Sequence, residues 1–266
     1  MRRRDVSHYR KTETLSFNDL DKWYQVNKKT NNMKFLKIED KSTDNIFLNT
    51  QFYLPKDEER QQEIKYCLKQ NIQYFNKIFL LNERIYSLEE LGLTEEENQK
   101  ITQINIKKRL TYEDWLEHSK TLNGFTVLAN SDIFFDETIE NIRSSCLSKI
   151  RGVESILRHE FIIKDGETIK HLDSIRLTHD FSQDVWILHT NFIPDNLKDF
   201  DFFLGISGCD VHFNYLMNKL NYYLFNDCHK IKNYHYHAQK KPNPDFILEK
   251  QYFGNLPSKK EEVLLK

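Results

Sequence analysis

The sequence predicts an α/β fold built around a parallel sheet. Three observations predict it. Runs of β-forming residues recur four times in the first half, helical or turn-like segments separate them, and the resulting strand–helix alternation is that of crossover units. Ligands of such sheets bind beyond the carboxyl ends of the strands. The polar residues that close each run are therefore the first place to look for chemistry.

The elements follow in order. NIFLNTQFYLP (45–55) is rich in β-formers and stops at Pro55. The segment 56–75 has an acidic first turn, and its Ile64, Cys67, Leu68, Ile72 and Phe75 recur at helical spacing. KIFLLNE (77–83) is a second buried strand, SLEELGLTEEENQK is helical or turn-like, and ITQINI (101–106) is a third strand. TYEDWLEHSKTL (111–122) is a helix with Thr111 as N-cap and Asp114 at the third position. FTVLANSD (125–132) is the fourth strand. The rhythm then breaks. A helix is expected over 137–149, with Asp136 as its cap, and a hairpin over 159–172 turns at Asp165-Gly166. A polar stretch over 173–184 leads into the strand DVWILHTNF. A helix follows over 211–225, then a strand over 229–238. Residues 1–44 read as an appendage with a helix capped by Ser16 that presents Leu20, Trp23 and Tyr24. Residues 45–238 form the main domain, and 239–266 are a surface extension.

Composition narrows the function. Lys+Arg 39 against Asp+Glu 40 gives a net charge of -1, which argues against a nucleic-acid partner bound through bulk charge. The basic start MRRR is followed by no apolar segment, and no run approaches the ~18 apolar residues of a bilayer span. The expectation is a soluble, cytoplasmic protein. Cys67, Cys146, Cys209 and Cys228 are scattered and form no C-x-x-C pair, so reduced thiols are expected rather than a zinc ribbon or a disulfide framework. Phosphate-binding glycine loops, the G-x-S-x-G elbow and H-E-x-x-H are all absent.

Four constellations could carry chemistry. NSDIFFD puts Asn130, Ser131 and Asp132 at the end of the fourth strand, where Asp132 either turns the chain or offers oxygen to a hard cation that shares substrate phosphates. GISGCD opens a helix with Asp210, either a capping residue or a general base toward a hydroxyl. In YHYHA, His235 and His237 share one face of a strand, as structural residues or as ligands for a metal or phosphate. Asp184 beside Trp186 is a loop acid and a core ring, or a carboxylate and stacking platform for a sugar.

Taken in this order, the motifs resemble those of GT-A glycosyltransferases, in particular family-2-like inverting enzymes. NSD stands where that family has D-x-D, with Asn130 in place of the first Asp. SGCDVHFNYLMNKLNYYLF stands where it has a G-G-E-D helix, with Cys209 in place of Glu, and YHYH stands where it has a metal-binding His. The run from 45 to 238 also resembles glycosyltransferases of large DNA viruses and some bacteria, which would place the protein in the host cytoplasm if viral. The resemblance implies a GT-A single domain with a mixed, mostly parallel central sheet. It implies Mn²⁺ or Mg²⁺ held by Asp132 with His235 or His237, and Asp210 as catalytic base. The donor would be a UDP- or GDP-sugar and the acceptor a glycan or other hydroxyl compound. Thr50, Gln51, Tyr53, Asn82 and Glu83 would border the nucleotide, Arg109, Thr111, Asn130 and Ser131 the diphosphate, and Asp184 and Trp186 the sugar or acceptor. A non-catalytic nucleotide-sugar or carbohydrate-binding module remains a rival. So does a metal-dependent phosphoester hydrolase using Asp132, Asp210, His235 and His237.

Overall fold

Strand-forming runs become strands because the central ones bury both faces, while the edge strand over Ile101–Asn105 is only partly covered. In the computed structural model, which describes residues 41–164, 167–172, 183–206 and 208–237, the first four are β1 (Asn45–Thr50), β2 (Lys77–Asn82), β3 (Ile101–Asn105) and β4 (Gly124–Ala129). β1 pairs in parallel with both β2 and β4, and β2 pairs in parallel with β3. Beyond β4 lie β5 (Ile133–Phe135), β6 (Gly152–Leu157), the hairpin β7 (His159–Lys164) and β8 (Glu167–Leu172), β9 (Gln183–His189), β10 (Tyr223–Phe225) and β11 (Asn233–His237). The central sheet has seven strands in the order β10-β6-β9-β4-β1-β2-β3, and β9 alone runs against its neighbours. A second sheet, β5-β11-β7-β8, continues from the end of β4. The mixed, mostly parallel sheet expected from the sequence is present.

The helices cover the central sheet. α1 (Glu58–Asn71), capped by Asp57, sends Ile64 and Leu68 into a core with Ile46, Leu48, Phe125, Val127, Val185 and Ile187. Its last residue, Asn71, acts as a surrogate strand: its side chain donates to the Ile133 carbonyl and accepts from the Phe135 N–H, satisfying the backbone of β5. Two one-turn helices, α2 (Leu88–Leu91) and α3 (Glu95–Asn98), each open on a capping box. α4 (Tyr112–Ser119) and α5 (Cys209–Lys219) cover the opposite face, where Trp115, Leu128, Trp186, Leu188 and Phe213 form the other core. The alternation along β9 thus deals Val185 and Ile187 to one core and Trp186 and Leu188 to the other.

The structure corrects two expected helices. Residues 137–149 form two 3-10 segments, Glu137–Ser144 and Cys146–Ser148, because Ser145 adopts extended backbone and starts a new cap. Asp136 does cap the first of them, accepting from the Thr138 N–H at 3.0 Å. The helix expected over 211–225 is α5, which starts at Cys209 and stops at Lys219. Asn221 is left-handed (φ 62), and Tyr223 then pairs with Gly152 as strand β10. The capping box of Thr111 and Asp114, and the hairpin, are as expected. The Ser16 helix, the Asp165-Gly166 turn, residues 173–182 and the extension from 239 lie outside the described residues.

Two positions in this frame give stability predictions. Gly124 has φ +138, and a Cβ there would lie 2.3 Å from the Asn45 carbonyl oxygen. Gly124→Ala is expected to cost at least about 2 kcal/mol in urea unfolding, from backbone strain and the β1–β4 clash combined. Glu154 on β6 is fully buried, and its Oε2 accepts from the Asp227 N–H at 3.1 Å. Burial, then the nearby Asp227 carboxylate, push its carboxyl well above the ordinary 4.5. A raised folded pKa means stability that is full below pH 4.5 and falls as pH rises above it. Glu154→Gln, uncharged at every pH, should therefore stabilise the fold by about 1–3 kcal/mol at pH 8 and leave it nearly unchanged at pH 4, measured by urea titration at both.

Candidate active site

The carboxyl end of β4 meets the start of β9, because the two strands are antiparallel neighbours. The Asn130 N–H donates to the Asp184 carbonyl, and the Asn130 side-chain amide donates to Asp184 Oδ1 at 2.6 Å. Two residues on, the chain enters β5 and joins the second sheet: the Tyr236 N–H donates to the Asp132 carbonyl at 3.0 Å. Asp132 is thus held at the seam between the two sheets and is buried.

A chain of alternating charges runs through this seam. Arg60, from the first turn of α1, donates through Nη1 to Glu63 and through Nη2 to Asp132 Oδ2, both at 2.5 Å. The same oxygen lies 2.8 Å from His235 Nε2. His235 Nδ1 is 3.7 Å from Glu160, and Glu160 accepts from Arg158 Nε at 3.3 Å. Arg158 also pairs with Asp184. Burial raises the Asp132 carboxyl, but His235 and Arg60 more than reverse this and hold it well below the usual carboxylate range. Burial likewise opposes the His235 imidazolium. Asp132 and Glu160 outweigh it and push the pKa up to about 9, so the ring is cationic at neutral pH.

Loops from three other elements close on this seam. Arg109, ahead of α4, donates to the Leu204 carbonyl at 2.7 Å. A Cβ on Gly205 (φ +69) would lie 3.4 Å from both Arg109 Nη2 and Asn130 Oδ1. Just beyond, Gly208 (φ +81) turns the chain into α5, and Asp210 sits buried in its first turn. Asp210 and Asp184 both raise the hydroxyl pKa of Tyr112, after burial and Cys209. Burial pushes the Cys209 thiol up to about 11 and leaves no thiolate for nucleophilic attack. A small space of about 10 Å³ lies beside the seam, lined by Thr50, Gln51, Asn130 and Ser131 together with the core side chains of Leu48, Leu80, Ile64 and Leu68. Two buried oxygens in this region, Thr50 Oγ1 and Asp132 Oδ1, have no hydrogen-bond partner among the described residues. Buried polar atoms are ordinarily paired, so these two call for a partner such as water, an ion or a ligand.

The structure therefore brings Thr50, Arg109, Asn130, Ser131, Asp132, Asp184 and His235 to one end of the sheet, and Asp210 lies in the first turn of α5, five residues beyond Gly205. Others have different surroundings. Trp186 is fully buried between Tyr112 and Phe213, so its ring is core and not a platform for a sugar. The Gln51 amide is consumed in tying Leu81, Lys108 and Leu110 together, and Asn82 holds the Phe52 N–H and Gln103. Both tie together the segments that follow β1, β2 and β3. Thr111 is taken up by its capping box, while Tyr53 and Glu83 are exposed. The side chain of His237 lies outside the described residues.

The residues found do not fit the divalent ion that the resemblance implies. Asp132 Oδ2 already accepts from Arg60 and lies 2.8 Å from His235 Nε2, so the two candidate ligands face each other and a resident guanidinium rather than a shared open point. Among the described residues no group of three or more His, Cys, Asp or Glu side chains could hold a metal ion. Sequence reading missed Arg60, Glu63, Arg158 and Glu160. Arg60 did carry a signal: it is a cation in the first turn of a helix that otherwise opens on Asp57, Glu58 and Glu59, where the macrodipole disfavours positive charge.

No protein-family profile matches the chain, and no curated protein matches it in sequence. Solved structures do resemble it. A mannosyltransferase from Pyrobaculum calidifontis, in complex with GDP-Man and Mn²⁺, aligns with TM-score 0.45 and 10% identity over 79% of this chain and 62% of that one. Residues 1–349 of S. aureus TarS, in complex with UDP-GlcNAc, align with TM-score 0.44 and 12% identity over 75% and 60%. A 4-diphosphocytidyl-2C-methyl-D-erythritol synthase from Anaerococcus prevotii aligns with TM-score 0.38 and 12% identity over 69% and 87%. The chain thus spans about 62% and 60% of the first two. No helix of the described residues is long and apolar enough to cross a membrane.

Proposed function

We propose that the chain is a glycosyltransferase of the GT-A type. It moves a sugar from a UDP- or GDP-sugar to a hydroxyl acceptor, with inversion at the anomeric carbon. The observation that carries this reading is the joining of Asn130, Asp132, Asp184 and His235 into one buried polar chain at the carboxyl end of the parallel strands, where Asp132 Oδ1 and Thr50 Oγ1 have no partner among the described residues. Asp210 takes the acceptor's hydroxyl proton as that oxygen bonds to the anomeric carbon. The bond from that carbon to the diphosphate breaks on the opposite face, and the nucleoside diphosphate leaves with the electron pair. The hydroxyl groups of donor or acceptor supply partners for Asp132 Oδ1 and Thr50 Oγ1.

The test is turnover. UDP- and GDP-sugars are screened for thermal stabilisation, which reaches about 2.7 kcal/mol at a ligand concentration 100 times Kd. The stabilising donor is then incubated with hydroxyl acceptors, and nucleoside diphosphate release is followed together with the anomeric configuration of the product. Stabilisation without release would make the protein a binding module. Release without a glycoside would make it a hydrolase.

A further inference from the structure

The positive charge beside Asp132 comes from the chain itself. Arg60, Ile64 and Leu68 lie one turn apart on one face of α1, where Ile64 and Leu68 are buried in the core. Arg60 stands one turn before them, at the start of the helix, and exposed Tyr53 lies within its electrostatic reach. Its side chain is 29% exposed, so it reaches solvent while its fork is fixed by Glu63 and Asp132. Burial lowers the tendency of this guanidinium to be charged, but Asp132 and Glu63 outweigh it and keep the cation permanent. A residue that the helix dipole disfavours is retained in a rigid setting by two carboxylates, one of them 72 positions away.

We infer that Arg60, held by Asp132 and Glu63, is the resident cation that meets the donor's diphosphate, in the place where the resemblance puts a divalent metal. This rests on the transferase reading. Asp132 positions Arg60 rather than binding a metal, and His235 supports Asp132 from the second sheet. The planar fork suits the diphosphate, because its N–H groups present to two phosphate oxygens at once.

The test has two arms on the full chain. In the first, Mn²⁺ alone is titrated and free ion is followed by electron paramagnetic resonance. The wild type is expected to show no saturable site below about 1 mM, which lies far above the affinity of an assembled metal site. A saturable site that disappears in Asp132→Asn would overturn the inference and leave the transferase reading standing. In the second arm, UDP and GDP are titrated calorimetrically with EDTA or with Mn²⁺. The tighter of the two should bind with the same Kd, within about twofold, in both conditions. Arg60→Gln should weaken it at least about tenfold, and Arg60→Lys, which keeps the charge but loses the fork, by less. Wild-type affinity in Arg60→Gln, or binding that requires Mn²⁺, would also overturn the inference. If neither nucleotide binds under either condition, the transferase reading falls, and this inference with it. The Mn²⁺ and EDTA comparisons on the wild type hold whether or not Arg60→Gln folds.

Discussion

Asp210→Asn is expected to lower turnover by about 10²–10⁴-fold, the range that a positioned general base supplies, while donor affinity stays within about twofold. The substitution keeps the shape of the side chain, removes its basicity and replaces one acceptor oxygen by an N–H₂ donor. Loss of the carboxylate from the first helical turn costs about 0.3–1 kcal/mol through the macrodipole, and α5 is also anchored by Phe213, Leu216 and Met217 in the core. Structural damage and chemical damage therefore separate. Steady-state kinetics with a verified donor and acceptor, alongside calorimetric titration of the donor, measure both. Turnover equal to wild type would remove Asp210 from the mechanism. Equal losses of affinity and turnover would make it a binding residue instead.

The second large effect is on stability. Asp132→Asn leaves His235 and Arg60 facing a neutral amide within the seam. Removing one partner of a buried ion pair costs about 3–5 kcal/mol, because the remaining charge is left uncompensated. We expect about 3 kcal/mol at pH 6, read from urea unfolding with an unchanged m-value. The pH dependence follows from the shifted groups. His235 has its pKa raised from the ordinary 6.5 to about 9. Its contribution is full below pH 6.5 and is lost as pH rises through about 9. Asp132 is shifted the other way, so its contribution is present above pH 3.8 and is lost only in strong acid. Wild-type stability from this pair thus holds between those limits and declines toward pH 10, while Asp132→Asn shows a flatter alkaline limb. A destabilisation below about 0.5 kcal/mol at pH 6 would mean that the seam is wet and the pair is screened.

The two effects reach different depths of the sequence. Asp210 could be picked out because its surroundings are local: small residues, a turn and a helix start lie within a few positions of it. The charge chain could not. Asp132 meets Arg60 across 72 positions and His235 across 103, and the sequence offered Asp132 and His235 as metal ligands because nothing local placed an arginine against Asp132. Trp186 failed for a related reason. Beside Asp184 it looks like a sugar platform, yet strand alternation sends it into the core while Asp184 lies at the seam.

Local chemistry determined the strands β1 to β4, the helices between them, the Thr111 cap, the Asp136 cap and the hairpin. In each case hydrophobic period or a side-chain hydrogen bond a few residues away decides the outcome. Tertiary structure alone decided that the chain turns into β10 after Asn221, that β5, β7, β8 and β11 form a separate sheet, and that Asp132 at their seam pairs with Arg60 and His235. The physical reason is the range of the interactions. A buried carboxylate takes whatever charge the fold brings within about 3 Å, and the sequence records that charge without its distance.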